Sequence, residues 1–141
     1  MFTLIDKIRN FFCPSAELSR IESIVFDAVK VNLRASDSEL LDRQLKAINR
    51  VHRSPDSREV NLFVIRKGES AFPPELCFRN KSEFKIAVVD INATNGATLR
   101  ARVWCVNGHV FSIEYKTSPS EFEETAAGEW RIECHIENCP S

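Results

Sequence analysis

Cys105 and His109 are the only Cys/His pair that this sequence brings together, because they flank the turn-forming Asn107-Gly108. A thiolate nucleophile there would need His109 as its base and a third group to orient the imidazole. No such group is evident, and cysteine more often serves as a small buried side chain. Asp90 and Glu114 lie in strand-like segments and would act as general bases if the sheet curved around a pocket. Asp90 interrupts an apolar run, whereas Glu114 has Arg100 as its expected cross-strand partner. Glycine-rich phosphate loops, HExxH helices and GxSxG elbows are absent. No catalytic residue is therefore assigned. Cysteines at 13, 77, 105, 134 and 139 are odd in number and irregularly spaced, and none forms a Cys-x-x-Cys pair. That pattern argues for reduced thiols over a disulfide framework or a structural zinc site. Cys134 and His135 are adjacent on a strand and point to opposite faces. No metal or cofactor is expected.

Charge is the stronger signal. Arg43, Lys46 and Arg50 fall on one helical stripe, and His52, Arg53, Arg58, Arg66 and Lys67 follow. Arg43, Lys46, Arg50, Arg53 and Arg58 are the candidate anion-binding residues. Asp42, Asp56, Glu59 and Glu69 interleave with them, which favours a solvated face over a nucleic-acid footprint. The C-terminal stretch is acidic, and Glu114, Glu121, Glu123, Glu124, Glu129 and Glu133 are the candidate surface for a basic protein partner. The whole chain nevertheless stays near neutrality, with 19 Lys+Arg against 20 Asp+Glu in 141 residues. A histone-like polycation is excluded. With 43% apolar residues, 4 Gly and 6 Pro, so is a disordered or collagen-like chain.

The elements that must position these groups are legible from periodicity. Residues 1–14 carry Met1, Ile5, Ile8 and Phe12 at helical spacing and predict an amphipathic arm, docked on the domain or a partner in preference to a membrane surface. Residues 15–141 form a single domain. Ser15 is the expected cap of a helix over 15–34. Ser36-Asp37-Ser38-Glu39 reads as a capping box opening a second helix that runs to about residue 51. Strands follow near 60–65, 84–91, 99–106, 109–115 and 129–137, with a short acidic helix opened by Ser118-Pro119. For the hairpin at Asn107-Gly108 a three-residue loop is preferred. It puts Leu99, Ala101, Val103 and Cys105 on one face and Arg100 across from Glu114. The sum is an α+β fold: N-terminal helices packed on one face of a mainly antiparallel sheet of about five strands. Cystatin-like and NTF2-like cones share this order of elements, which by itself fixes no function.

Three stretches, Gln44–Val51, Arg58–Phe63 and Val106–Glu114, resemble bacterial proteins without an established activity. The resemblance implies a bacterial source and carries over no mechanism. No apolar run reaches the ~18–20 residues of a membrane span. The first residues lack a secretory leader pattern, and a cytoplasmic chain is the expectation. The leading expectation is a non-enzymatic interaction protein, of the immunity or inhibitor type, that binds a partner such as a toxin through its acidic surface. A small-molecule pocket protein or minor enzyme, and nucleic-acid binding through residues 43–67, are the alternatives.

Overall fold

The computed structural model describes residues 17–141. The expected arm over 1–14 and the Ser15 cap lie outside the described residues. Two helices come first. Helix α1 spans Arg20–Asn32 and helix α2 spans Ala35–Ala47. Helix α1 starts later than expected because its capping box is Ser19 with Glu22. The Ser19 hydroxyl accepts the Glu22 N–H at 3.1 Å, and Glu22 accepts the Ser19 N–H at 2.8 Å. Helix α2 starts one residue before Ser36 and has no side-chain cap, so the box read at Ser36–Glu39 is not used. Asp37 instead turns inward, accepting from Arg34 Nε at 3.3 Å and from the Ser141 hydroxyl.

Helix α2 also stops short of residue 51. The Asn49 side chain is bonded both ways to the backbone of Ile65, at 2.8 and 2.9 Å, and its N–H reaches Phe63 O. These bonds draw the chain into strand β1, Arg50–Arg53, paired with β2, Glu59–Phe63. A small ribbon, β3 (Ile65–Arg66) and β4 (Glu69–Ser70), turns at Lys67-Gly68, where both residues have positive φ. A single 3-10 turn covers Pro74–Leu76. Then come β5 (Phe84–Ala93), β6 (Thr98–Val106), β7 (His109–Tyr115), helix α3 (Pro119–Thr125) and β8 (Trp130–Ile136).

The main sheet has six strands in the order β1-β2-β7-β6-β5-β8, every pair antiparallel. It is α+β, as its pattern implies, but only β5-β6-β7 is a meander. Helix α3 carries the chain back so that β8 pairs outside β5. Helices α1 and α2 cover one face of the sheet. Ile21, Val25, Phe26, Val29 and Leu41 meet Val60, Ala87, Val89, Ile91, Val103 and Ile113 in one cluster. The opposite face carries the polar alternates, among them Asp90, Arg100, Arg102 and Glu114.

The β6–β7 register departs from the preferred one. Asn107 and Gly108, with φ of 53° and 86°, form a two-residue type I′ turn that pairs Val106 with His109. The ladder then shifts between Trp104 and Cys105, so Cys105 pairs Val110 while Trp104 pairs Ser112. That bulge restores the parity the apolar pattern demands, and Ala101, Val103, Ile113 and Tyr115 remain inside. Burying each large apolar side chain gains roughly 1.5–3 kcal/mol, so a local bulge is the cheaper adjustment. Arg102, and not Arg100, consequently lies across from Glu114. Gly108 is closely fitted: a Cβ there would stand 2.8 Å from Phe78 O and 2.9 Å from Cys77 Cβ.

Candidate functional site

Glu123 and Glu124 project from α3 beside the first turn of α1. Between them lies a cleft of about 450 Å³, also lined by Ser19, Glu22, Arg53 and Tyr115. Three distant segments converge here. The capping box fixes Glu22 at the start of α1, β1 presents Arg53, and the end of β7 presents Tyr115. Arg53 meets Glu22 in a two-pronged ion pair, Nε to Oε2 at 2.8 Å and Nη2 to Oε1 at 2.7 Å. Its Nη2 also donates to Glu17 O at 3.0 Å. The Glu22 hydrogen bond, the largest influence, pushes the Arg53 pKa up despite its partial burial. The fork neutralises the Arg53 charge and spends its Nε and Nη2 donors, leaving Nη1 as the remaining donor.

Tyr115 is 3% exposed, and its hydroxyl has no hydrogen-bond partner. A buried hydroxyl left unpaired costs stability. Burial, and next the Glu22 carboxylate, push its pKa up, so it stays protonated and keeps its oxygen lone pairs. With Glu22 and Arg53 neutralising one another, the surplus charge at the cleft is that of Glu123 and Glu124. The arrangement suits a cation that donates hydrogen bonds.

The other acidic candidates lie elsewhere. Glu129 and Glu133 border a second cleft, of about 650 Å³, with Arg131 between them. Glu114 stands on the far face of the sheet between Glu59 and Arg102. Glu121 occupies the first turn of α3, its N–H 3.3 Å from the Ser118 hydroxyl. The six do not make one continuous patch.

The basic set is dispersed as well. Arg50 belongs to β1, so the stripe expected with Arg43 and Lys46 on one helix does not exist. Lys46 bonds Asp42 at 2.8 Å, and Asp42 also accepts from Lys30 at 3.1 Å; these hydrogen bonds hold its carboxyl below the usual range. Arg53 is consumed by Glu22. Arg58 donates to the backbone oxygens of Tyr115 and Lys116 at 3.3 and 2.8 Å. Among the described residues Arg43, on an exposed face of α2, and Arg50, on β1, are the two of the five whose side chains are not spent on such bonds.

The remaining chemical candidates separate too. Cys105 is fully buried against Val110, and burial pushes its thiol up to about 12. His109 stacks on Phe72 with ring centroids 4.0 Å apart and packs its Nδ1 3.1 Å from Val110 O. The two-residue turn is what divides the two, since it pairs His109 with Val106 and Cys105 with Val110. Asp90 is gripped by Arg100 at 2.8 and 3.2 Å on the face away from the helices, so it does not enter the space between sheet and helices. Among the described residues no group of three or more His, Cys, Asp or Glu could hold a metal ion, and no helix is long and apolar enough to cross a membrane.

His109 carries a pH consequence. Burial, reinforced by nearby Lys81, holds its pKa below the ordinary 6.5 and outweighs the Val110 carbonyl. The unfolded chain therefore takes up this proton first as pH falls. Stability contributed above pH 6.5 is expected to drain away below it. Urea unfolding at about pH 7.5 and about pH 5.5 measures the loss, which His109→Phe should reduce.

The molecule is thus a two-layer α+β protein with an acidic cleft built on a buried ion pair and an orphan phenol. No protein-family model, no curated protein and no solved structure matches it.

Proposed function

We propose that this chain is a protein-interaction module whose cleft receives a lysine or arginine side chain from a basic partner. The observation that carries this reading is a cleft rimmed by Glu123 and Glu124 and lined by Tyr115, whose buried hydroxyl has no hydrogen-bond partner. An incoming ammonium or guanidinium would be neutralised by the two carboxylates and, after a small local opening that uncovers it, donate to the phenol oxygen. An anion would meet the same carboxylates and an Arg53 already satisfied by Glu22. A role as an immunity or inhibitor protein in the cytoplasm, covering the active site of a basic toxin, is the concrete form of this proposal. Such proteins work by occupying a surface, and complementary charge mainly accelerates their association.

Fluorescence anisotropy with a labelled lysine-rich hexapeptide, and an arginine-rich one, tests the idea at low and moderate salt. Saturable binding that weakens with salt is expected, and Glu123→Gln with Glu124→Gln should weaken it by roughly ten-fold. Equal binding by the double variant, or no binding of either peptide at low salt, would refute it.

A further inference from the structure

Strand β8 ends the sheet, and among the described residues nothing pairs with its outer edge. Beside that edge lies a groove lined by Ile24, Ala28 and Val31 of α1 and by Ile132 and Cys134 of β8. Val31 is 83% and Ile132 40% exposed, and they are the two exposed large apolar side chains of the described residues. Natural sheets usually guard an open edge with proline, lysine, a bulge or a very short strand. Strand β8 has no proline, lysine or bulge, and its two charged residues, Arg131 and Glu133, are of opposite sign: seven residues, Trp130–Ile136, run in unbroken register along β5.

We propose that two copies of this chain pair through β8, antiparallel about a twofold axis at Ile132, to make one continuous sheet. The free hydrogen-bonding groups can be assigned. Thr94 N–H bonds Glu129 O at 3.0 Å, and Glu137 N–H bonds Ile86 O at 2.8 Å. By the alternation of an antiparallel ladder, the odd-numbered residues of β8 face β5. Trp130, Ile132, Cys134 and Ile136 therefore turn their N–H and C=O groups to the open edge. A second copy must present the same even-numbered residues.

Charge then selects the register. An axis at Arg131 sets Arg131 against Arg131 and Glu129 against Glu133, and an axis at Glu133 sets Glu133 against Glu133. Both are repulsive. An axis at Cys134 would send Arg131 to Glu137, which already bonds Lys85 at 3.2 Å. An axis at Trp130 pairs little beyond the strand end. The axis at Ile132 places Arg131 of each copy against Glu133 of the other, twice, and Glu129 against His135. It also stacks Ile132 on Ile132 under the groove where Val31 is exposed. Self-complementarity of this kind is what an isologous interface requires.

The test is sedimentation equilibrium of the full chain, with reductant present to exclude disulfides. A reversible dimer is expected. Ile132→Arg should dissociate it while leaving the far-ultraviolet circular dichroism unchanged. Arg131→Glu and Glu133→Arg should each weaken the dimer by about ten-fold or more, and the two together should restore it. A wild-type monomer throughout the accessible concentrations would overturn the proposal. So would a dimer that survives Ile132→Arg, or charge variants that fail to rescue one another. The result is independent of the acidic cleft, on which none of these variants lies.

Discussion

Gln44→Ala is expected to lower unfolding stability by about 2–4 kcal/mol, more than its size would suggest. Gln44 is 0% exposed and joins three parts of the molecule. Its Nε2 donates to Leu76 O at 2.7 Å and to Gly108 O at 3.1 Å, and its Oε1 accepts the Val110 N–H at 3.0 Å. Helix α2 is thereby tied to the 3-10 turn and to the β6–β7 hairpin. Gly108 O keeps a second donor, the Phe78 N–H at 2.7 Å, and loses little. Leu76 O and Val110 N–H would lose the bonds that Gln44 supplies. Two buried polar groups at ~1–3 kcal/mol each set the estimate. Gln44→Leu separates polarity from packing. It restores volume, and it should remain destabilised if the hydrogen bonds are the cause. Chemical denaturation gives the magnitude. Faster amide exchange at Val110 would locate it.

The second large effect concerns Glu22. Glu22→Ala removes the reciprocal half of the α1 capping box and leaves Arg53 without its carboxylate. Breaking a buried pair by removing one partner costs ~3–5 kcal/mol. Arg53 retains 28% side-chain exposure, and solvent reaches it, so about 2–3 kcal/mol is expected. A double-mutant cycle with Arg53→Ala checks the mechanism by urea denaturation. The double variant should lose less than the sum of the single losses, because no charge is then stranded. Additive losses would mean that the cap and packing carry the effect and the ion pair does not.

Particular residues show why the sequence is partly legible. The two leading helices and the antiparallel strands follow from periodicities of 3.6 and 2 over long segments. Strand β1 was hidden because Ile48 and Val51 satisfy a helical spacing. What converts the segment is tertiary: Asn49 binding the backbone of Ile65, sixteen residues away. The box at Ser36–Glu39 and the box at Ser19–Glu22 look alike in sequence, and only the second is used. On the hairpin, the segregation of apolar and polar faces was readable, but the bulge that reconciles it with a two-residue turn was not. It shifts Glu114 from Arg100 to Arg102.

The cleft shows the same division. Glu123 and Glu124 stand out as part of an acidic run. Ser19-x-x-Glu22 was available as a motif. Nothing local ties the Ser19–Glu22 box to Arg53, 31 residues away, and Tyr115, although close to Glu123 in sequence, belongs to a different element. Charge counting overestimates both patches for one reason. It cannot see that Arg53 and Arg58 are spent on internal bonds, or that Glu114 and Glu133 face away from α3.

Tyr115 is the only tyrosine in the chain, so it can be labelled selectively and observed alone. The most direct measurement is the ring-carbon NMR signal of tyrosine-labelled protein during titration with the lysine-rich hexapeptide. The cleft reading predicts a saturable shift of that one signal, following the binding isotherm and suppressed by Glu123→Gln with Glu124→Gln. A Tyr115 signal that stays fixed while the peptide saturates the protein would place the binding elsewhere and contradict the account.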